Sequence, residues 1–562
     1  MSATFILPCY ARLWQWLHYL IGPLALAAMS SDNVRMVTEL VRLHQALRAT
    51  SLPLASEGVE ALRASRVSMI DQLQDYVIPR VMTMDAPLLT VVGGSTGAGK
   101  STLVNSLVGE RVTAPGLLRP TTRCPVLVHH PDDAKWFGQD RLLPGLRRTT
   151  EASNDQYSIQ LVATKKMKRG LAVLDAPDVD SVDERNRELA AELLNCADLW
   201  LFVTSSARYA DQVPWDSLKS AAERSAAVAV VLDRTPEDAI QTVSTHLARM
   251  LAARGLKDSP LFIVRNGKVS DEGLLPKGHV SEIATWLAAL ADDAITRNLV
   301  VSQTVDGAVR AISFTAHKVA DAAAVQAAVA ERLAQAAADA YAQGENSVEA
   351  ALDAGVLARG DAGARWHDFV TSGNFTESLT STDGALRAGQ IRTGLGLTLE
   401  LLLVRHAEAA AEATSTGWNG IPEGADLLAL PGAESLSRAS RGLRAATSQA
   451  VAAWQAAVEA DVRAEGGSDA AAVAAMVGAL GGADQDSTDV LGDAVGPTAA
   501  ASLIEGAGQR LRQGVHGLLE SEHRRYATVL GGLGLDPEAP AAVRAAARRV
   551  DDVRWATKNE TN

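Results

Sequence analysis

The 562-residue sequence predicts an α/β domain with a mostly parallel sheet and helices on both faces, followed by a long all-α region. Three observations carry this prediction. Between residues 85 and 298, short apolar runs rich in Val, Ile and Leu alternate with amphipathic stretches, the pattern of repeated strand–helix units. The segment Gly94 to Thr102, GSTGAGKST, lies between an apolar run and an amphipathic one, at the carboxyl end of a strand, where open α/β sheets bind their ligands. Beyond residue 298 the alternation stops, and alanine-rich stretches broken by Gly, Pro and Ser read as helices packed through small side chains.

Taken in order, residues 1–35 contain an uncharged run from Leu13 to Met29 that includes Trp14, Trp16, Gly22 and Pro23. They read as an overextended start or as an apolar anchor. Residues 36–84 form a helical segment, with Val37, Leu40, Val41, Leu43 and Leu47 at near-helical spacing and a break near residues 51–56. Residues 85–298 form the α/β domain, with strands expected at 88–92, 125–129, 158–162, 171–174, 199–204, 227–232 and 261–264. Helices are expected between them at 183–196, 212–225, 237–254 and 280–297. Residues 299–562 form a stalk-like helical region with breaks at 373–384, 417–434, 466–496 and 531–540. Its most apolar run, Leu395 to Val404, is too short to span a bilayer and reads as core, with a lipid- or partner-binding tip as the alternative.

Composition narrows the function classes. Hydrophobic residues at 47% against 21% charged are those of a packed globular protein. The formal charge of −13 argues against a broad grip on nucleic acid, which needs clustered Lys and Arg. Cys9, Cys124 and Cys196 are far apart and without CxxC spacing, so they suit a reducing cytoplasm and build no zinc or disulfide framework.

The GSTGAGKST segment has the spacing of a phosphate-binding loop. Gly94, Ser95, Thr96, Gly97, Ala98 and Gly99 can turn successive backbone N–H groups toward a nucleotide's phosphates. Lys100 can reach the β and γ oxygens, Ser101 can ligate Mg²⁺, and Thr102 continues the loop into the helix. Downstream, Arg119 to Pro125 reads RPTTRCP, where a mobile loop would close on the γ-phosphate. Thr122, with Thr121 second, is the expected Mg²⁺ ligand there, and Arg119 or Arg123 could supply charge in cis. The apolar run 171–174 ends in Asp175, placed to hold Mg²⁺ through water opposite Ser101. Asp175, Asp178, Asp180 and Asp183 lack the Gly and closing Glu of a calcium loop and read as a mobile acidic switch. His129 and His130 read as a solvated strand end, since no third metal ligand is evident.

The order GSTGAGKST, RPTTRCP, LDAPDVDS and LWLFVTS resembles the translation-factor-like P-loop GTPases, near the Era-like and bacterial dynamin-like branches. The resemblance covers residues 88–297. It implies phosphate contacts by Lys100, Mg²⁺ ligation by Ser101 and Thr122, and a water-mediated metal contact by Asp175. The cofactors implied are Mg²⁺ and GTP, with ATP left open. Three departures stand out: Asp178 replaces a glycine whose N–H meets the γ-phosphate, and Val179 stands where several relatives have a water-orienting glutamine. At the base-reading strand end, Asp233 and Arg234 match the Asn and Lys of an NKxD motif, and Pro236 falls where the guanine-reading Asp belongs. Asp238 two residues later, or Asp233 itself, could read the base, with Arg234 stacking on it. With Lys100, Thr122 and Asp178 around the reacting phosphate, the expected protein is a cytoplasmic GTPase that couples loop ordering to its helical region. That region would self-associate, dock a partner or touch the inner face of the membrane. The alternatives are a nucleotide-binding scaffold with slow or no hydrolysis and an ATP-dependent P-loop protein.

Overall fold

The computed structural model describes residues 30–113, 124–138, 143, 145–153, 155–181, 183–223, 226–371, 382–431, 433–481 and 485–560. They form two compact units, one within Met1–Thr50, Glu60–Ala323 and Glu538–Asn562, the other within Ser51–Val59 and Ala324–Pro537. The fold class is the expected one, a mostly parallel sheet with helices followed by a long helical region. Of residues 1–35, drawn as an overextended start or an apolar anchor, 1–29 lie outside the described residues, and 31–35 already belong to the first helix.

Among the described residues the sheet of the first unit has eight strands: β1 (Leu88–Gly94), β2 (Val126–His129), β3 (Arg147–Thr149), β4 (Ser158–Ala163), β5 (Leu171–Asp175), β6 (Leu199–Ser205), β7 (Ala227–Thr235) and β8 (Leu261–Arg265). Their order is β3-β4-β2-β5-β1-β6-β7-β8, and only β2 against β5 is antiparallel. β1, β5 and β6 are buried along their whole length, which is why they read as unbroken apolar runs. β3 had no such signal. Arg147, Arg148 and Thr149 offer no apolar face, and pairing with β4 at the sheet edge makes them a strand.

Helix Ser31–Ala49 starts where the Ser30 side chain accepts from the Asn33 N–H, and it buries Val37, Leu40, Val41, Leu43 and Leu47. It packs on helix Ala539–Glu560, so the C-terminal helix belongs to the first unit. Arg554 pairs with Asp306 at 2.8 Å, and the Ser313 hydroxyl donates to Asp551 at 2.6 Å, fixing that helix to the start of the 60-residue helix Ala294–Asp353.

The helical segment before the sheet contains one irregular turn with a clear cause. Pro79 has no N–H to give, and the preceding Leu73–Val77 widens into a π turn in which the Ile78 N–H reaches Leu73 O. Tyr76 and Arg80, four residues apart on one face, both reach Asp198 just before β6. The Tyr76 hydroxyl donates to Asp198 Oδ1 at 3.1 Å, Arg80 Nε donates to the same oxygen at 2.8 Å, and the Leu89 N–H donates to Oδ2 at 2.8 Å. The Thr304 hydroxyl donates to Asp198 O at 3.1 Å and accepts from the Ala227 N–H at 3.3 Å. A single buried acid thus joins the segment before the sheet, three of its strands and the helix after it.

The second unit is all-helical among the described residues. Its core contains three indoles whose N–H groups are satisfied: Trp366 on Ser487 Oγ at 3.0 Å, Trp418 on Leu333 O at 2.9 Å and Trp454 on Ala507 O at 2.9 Å. The stretch 466–496, read as a break, holds helices Asp469–Ala479 and Gln485–Val495. Ala470 to Val477 are all buried, and a helix covered all round has no apolar stripe to betray its period. In the run read as core or tip, Leu395, Leu399 and Leu403 are buried while Leu397 and Leu401 are exposed. The run is therefore one face core and one face surface. No helix among the described residues is long and apolar enough to cross a membrane.

Candidate functional site

The glycine-rich loop turns between β1 and helix Lys100–Val108. At Gly94, φ is +144°, and a Cβ would lie 1.9 Å from Val203 O on β6, so only glycine lets the loop leave the sheet here. At Gly99, φ is +102° and a Cβ would lie 2.1 Å from Asp233 Oδ2. The loop therefore rests against the end of β7. Gly97 is also left-handed, with φ +74°, and Ala98 is buried with its N–H on Ser95 O at 3.2 Å. Ser95 is buried, and its hydroxyl has no partner among the described residues. Thr102 sits in the first turn of the helix, its carbonyl accepting from the Ser106 hydroxyl at 2.6 Å.

Lys100 is buried at the helix start, and its ammonium donates to Gly94 O and Ser95 O, both at 3.1 Å, and to Asp178 Oδ1. Asp178 stands in the position of the missing glycine and forms a buried ion pair with the loop lysine. The sequence placed it near the γ-phosphate; the structure joins it to the group that would bind that phosphate.

Asp175 is fully buried at the end of β5, and burial pushes its carboxyl above the usual range while the Ser101 and Thr113 hydroxyls pull it back. Thr113 donates to Oδ2 at 2.9 Å. Oδ1 has no partner in hydrogen-bond geometry among the described residues. A buried acid with one unsatisfied oxygen beside a serine hydroxyl is a donor set that suits a hard cation, so Ser101 and Asp175 fit the Mg²⁺ role given to them. Thr121 and Thr122, with Arg119 and Arg123, lie outside the described residues. Thr113 was not anticipated. It is carried there by Asn105, whose Oδ1 accepts from the Val112 and Thr113 N–H groups at 2.8 and 2.9 Å after the helix ends at left-handed Gly109.

The segment after β5 folds back on the loop. The Ala176 N–H donates to Val92 O at 3.2 Å and the Val179 N–H to Gly94 O at 3.3 Å. Asp180 Oδ1 accepts from the Thr96 N–H at 2.6 Å and its hydroxyl at 2.7 Å, and Oδ2 accepts from Arg208 Nη1 at 2.9 Å. Arg208 Nη1 also donates to Thr96 O at 3.0 Å. Asp183 caps helix Glu184–Asn195 through the Asn186 N–H. The four acids read as one mobile switch each have their own partners here, and Asp183 is a helix cap. Arg208 escaped the sequence reading because it follows β6, far along the chain from the loop it touches.

At the base end, Asp233 is buried and its carboxyl is pushed up to about 6, chiefly by burial and against the Arg234 N–H and charge. Arg234 has a left-handed φ of +50° at a register shift between β7 and β8, and its N–H donates to Asp233 Oδ1 at 2.7 Å. Asp233 and Arg234 both lie beside Gly99, whereas Pro236 and Asp238 are exposed beyond the strand. His129, expected to be solvated, is buried with its ring 5.1 Å from that of Phe137, because Phe137 folds back over the strand end. No group of metal-binding residues is assembled among the described residues by His, Cys, Asp and Glu alone.

Against known proteins, the Dynamin family model matches residues 90–233. The probable transmembrane GTPase FZO-like, chloroplastic, of Arabidopsis thaliana is 27% identical over 132 residues, which are 24% of this chain and 13% of that relative's length. Among solved structures, an oligomerised bacterial dynamin pair described as sensing and tethering membranes superposes with a TM-score of 0.40 at 9% identity, covering 87% of this chain and 95% of that one. The bacterial dynamin GTPase LeoA from ETEC superposes with a TM-score of 0.24 at 10% identity, covering 94% and 97%. The matched segment runs from β1 through the phosphate loop, Asp175 and Asp180 to Asp233, so it is this stretch that is similar to the Dynamin family, the dynamin-like rather than the Era-like side of the resemblance.

Proposed function

We propose that the first unit binds Mg²⁺-GTP and hydrolyses it. The observation that carries this reading is the buried Lys100 ammonium at the start of a helix, inside a glycine loop that admits no side chain at Gly94 or Gly99. Ser101 and Asp175 would hold Mg²⁺, which neutralises phosphate charge when bound. Backbone N–H groups from Gly94 to Ser101 would cradle the phosphates, and Thr122 would close from its loop. Asp233 and Arg234 would meet the base. Their position against the loop supports a GTPase arrangement, as does the GTPase relative matched over 132 residues. Binding moves Asp178 off Lys100, so the segment that follows β5 changes state with the nucleotide. The helical unit would be the part that self-associates, docks a partner or touches the inner face of a membrane, in a protein of the cytoplasm.

Calorimetry with GTP and ATP, followed by single-turnover hydrolysis for the wild type and Lys100→Ala, tests this. GTP preference and hydrolysis lost in the variant are expected; a preference for ATP overturns the guanine assignment. Equal rates for wild type and Lys100→Ala overturn the hydrolysis.

A further inference from the structure

We propose that Thr96 and Arg208 form a subsite for the terminal phosphate of a nucleoside triphosphate, and that the Asp180 carboxylate is its resident anion. The proposal rests on the nucleotide-binding reading above. Asp180 is held by three donors of the kind that hold a phosphoryl oxygen: a loop backbone N–H at 2.6 Å, a hydroxyl at 2.7 Å and a guanidinium at 2.9 Å. The loop N–H and hydroxyl come from Thr96, on the strand side of the glycine loop, while Lys100 lies on its helix side. Asp178 takes Lys100 and Asp180 takes Thr96, so two acids from one three-residue stretch fill both ends of the loop.

Arg208 is well placed to exchange one anion for another. Its backbone is fixed, since its N–H and that of Tyr209 donate to Ser205 O at the end of β6, at 2.9 and 2.8 Å. Its guanidinium is anchored on the loop itself through Thr96 O at 3.0 Å, and Nε is 3.2 Å from Asp211. The side chain is 38% exposed, at the rim of the loop, so it need not be dug out of a core to change partner. A triphosphate that displaces Asp180 would leave Arg208 on the terminal phosphate. A diphosphate, held from the helix side, would leave Asp180 in place. Arg208 would then set the preference for triphosphate over diphosphate and supply charge where charge develops during hydrolysis.

An ordinary surface ion pair that only staples the segment after β5 would not distinguish the two nucleotides, and this is what the experiment reads. Calorimetric titration of the full chain with Mg²⁺-GDP and with a nonhydrolysable Mg²⁺-GTP analogue is carried out for wild type, Arg208→Ala, Arg208→Lys and Asp180→Asn, with thermal melting alongside. Arg208→Ala is expected to lose about tenfold in analogue affinity, with GDP affinity kept within about threefold, since charged hydrogen bonds carry effects of that order. Asp180→Asn, which keeps the shape and removes the competing charge, is expected to gain analogue affinity selectively. If Arg208→Ala does not fold, Arg208→Lys and Asp180→Asn make the same comparison. Equal losses for both nucleotides, or no loss for either, overturn the subsite while leaving nucleotide binding intact. A wild type that binds neither nucleotide overturns the reading beneath it.

Discussion

Lys100 Nζ donates to Asp178 Oδ1 at the base of the phosphate loop, with both side chains buried. A nucleotide must compete with that carboxylate for the lysine. Asp178→Asn keeps the shape and removes the charge, and it is expected to raise Mg²⁺-GTP affinity about tenfold by calorimetry. Weaker binding in the variant would mean that Asp178 serves the bound state instead.

The Arg80–Asp198 pair is the corresponding test of stability. Both groups are buried, and Asp198 also receives Tyr76 and the Leu89 N–H. Arg80→Met leaves an acid without its counter-charge and is expected to cost about 3 to 5 kcal/mol in chemical denaturation. A loss below about 1 kcal/mol, the range of surface pairs, would contradict the buried network.

Asp233 gives a pH dependence of defined sign. Its folded carboxyl titrates near 6, above its unfolded value, so its contribution is fully present below about pH 4 and is lost as pH rises through 6. Asp233→Asn should therefore stabilise the protein by about 2 to 3 kcal/mol at pH 7.5 and by almost nothing near pH 4. Urea midpoints at the two pH values read this directly; an equal shift at both would rule out the titration.

The loop glycines are tested sterically. Gly99→Ala would drive a methyl group to within 2.1 Å of Asp233 Oδ2 at a φ that favours glycine, so the loop or β7 must move. The expected outcome is loss of nucleotide binding in titrations, with the helical unit's melting transition unchanged.

Trp418 is the corresponding test in the second unit. Its ring is buried, stacks edge-on to Tyr526 at 5.3 Å and satisfies Leu333 O. Trp418→Ala is expected to cost about 3 to 5 kcal/mol, read as a lower denaturation midpoint by far-UV circular dichroism.

What could be read from the chain follows from where the physical signal is local. β1, β5 and β6 announce themselves because both faces are buried, and the loop does so because its glycines and lysine are adjacent in sequence. β3 and the helix Asp469–Ala479 could not be read that way: one is a strand only by virtue of its neighbour, and the other is buried on every side. In the site, Lys100, Ser101 and Asp175 were legible from motif spacing. Thr113 and Arg208 were not, because each meets its partner through a turn whose geometry depends on tertiary contacts, Asn105 for the first and Ser205 for the second.

The Asp198 junction bears on how far the α/β unit can be divided. A fragment cut to residues 85–298 would keep every strand yet strip Asp198 of Tyr76 and Arg80, and would remove the Thr304 hydroxyl that links Asp198 O to β7. The smallest autonomous piece therefore begins before Tyr76 and ends after Thr304, and limited proteolysis should spare both flanks while the sheet stays folded.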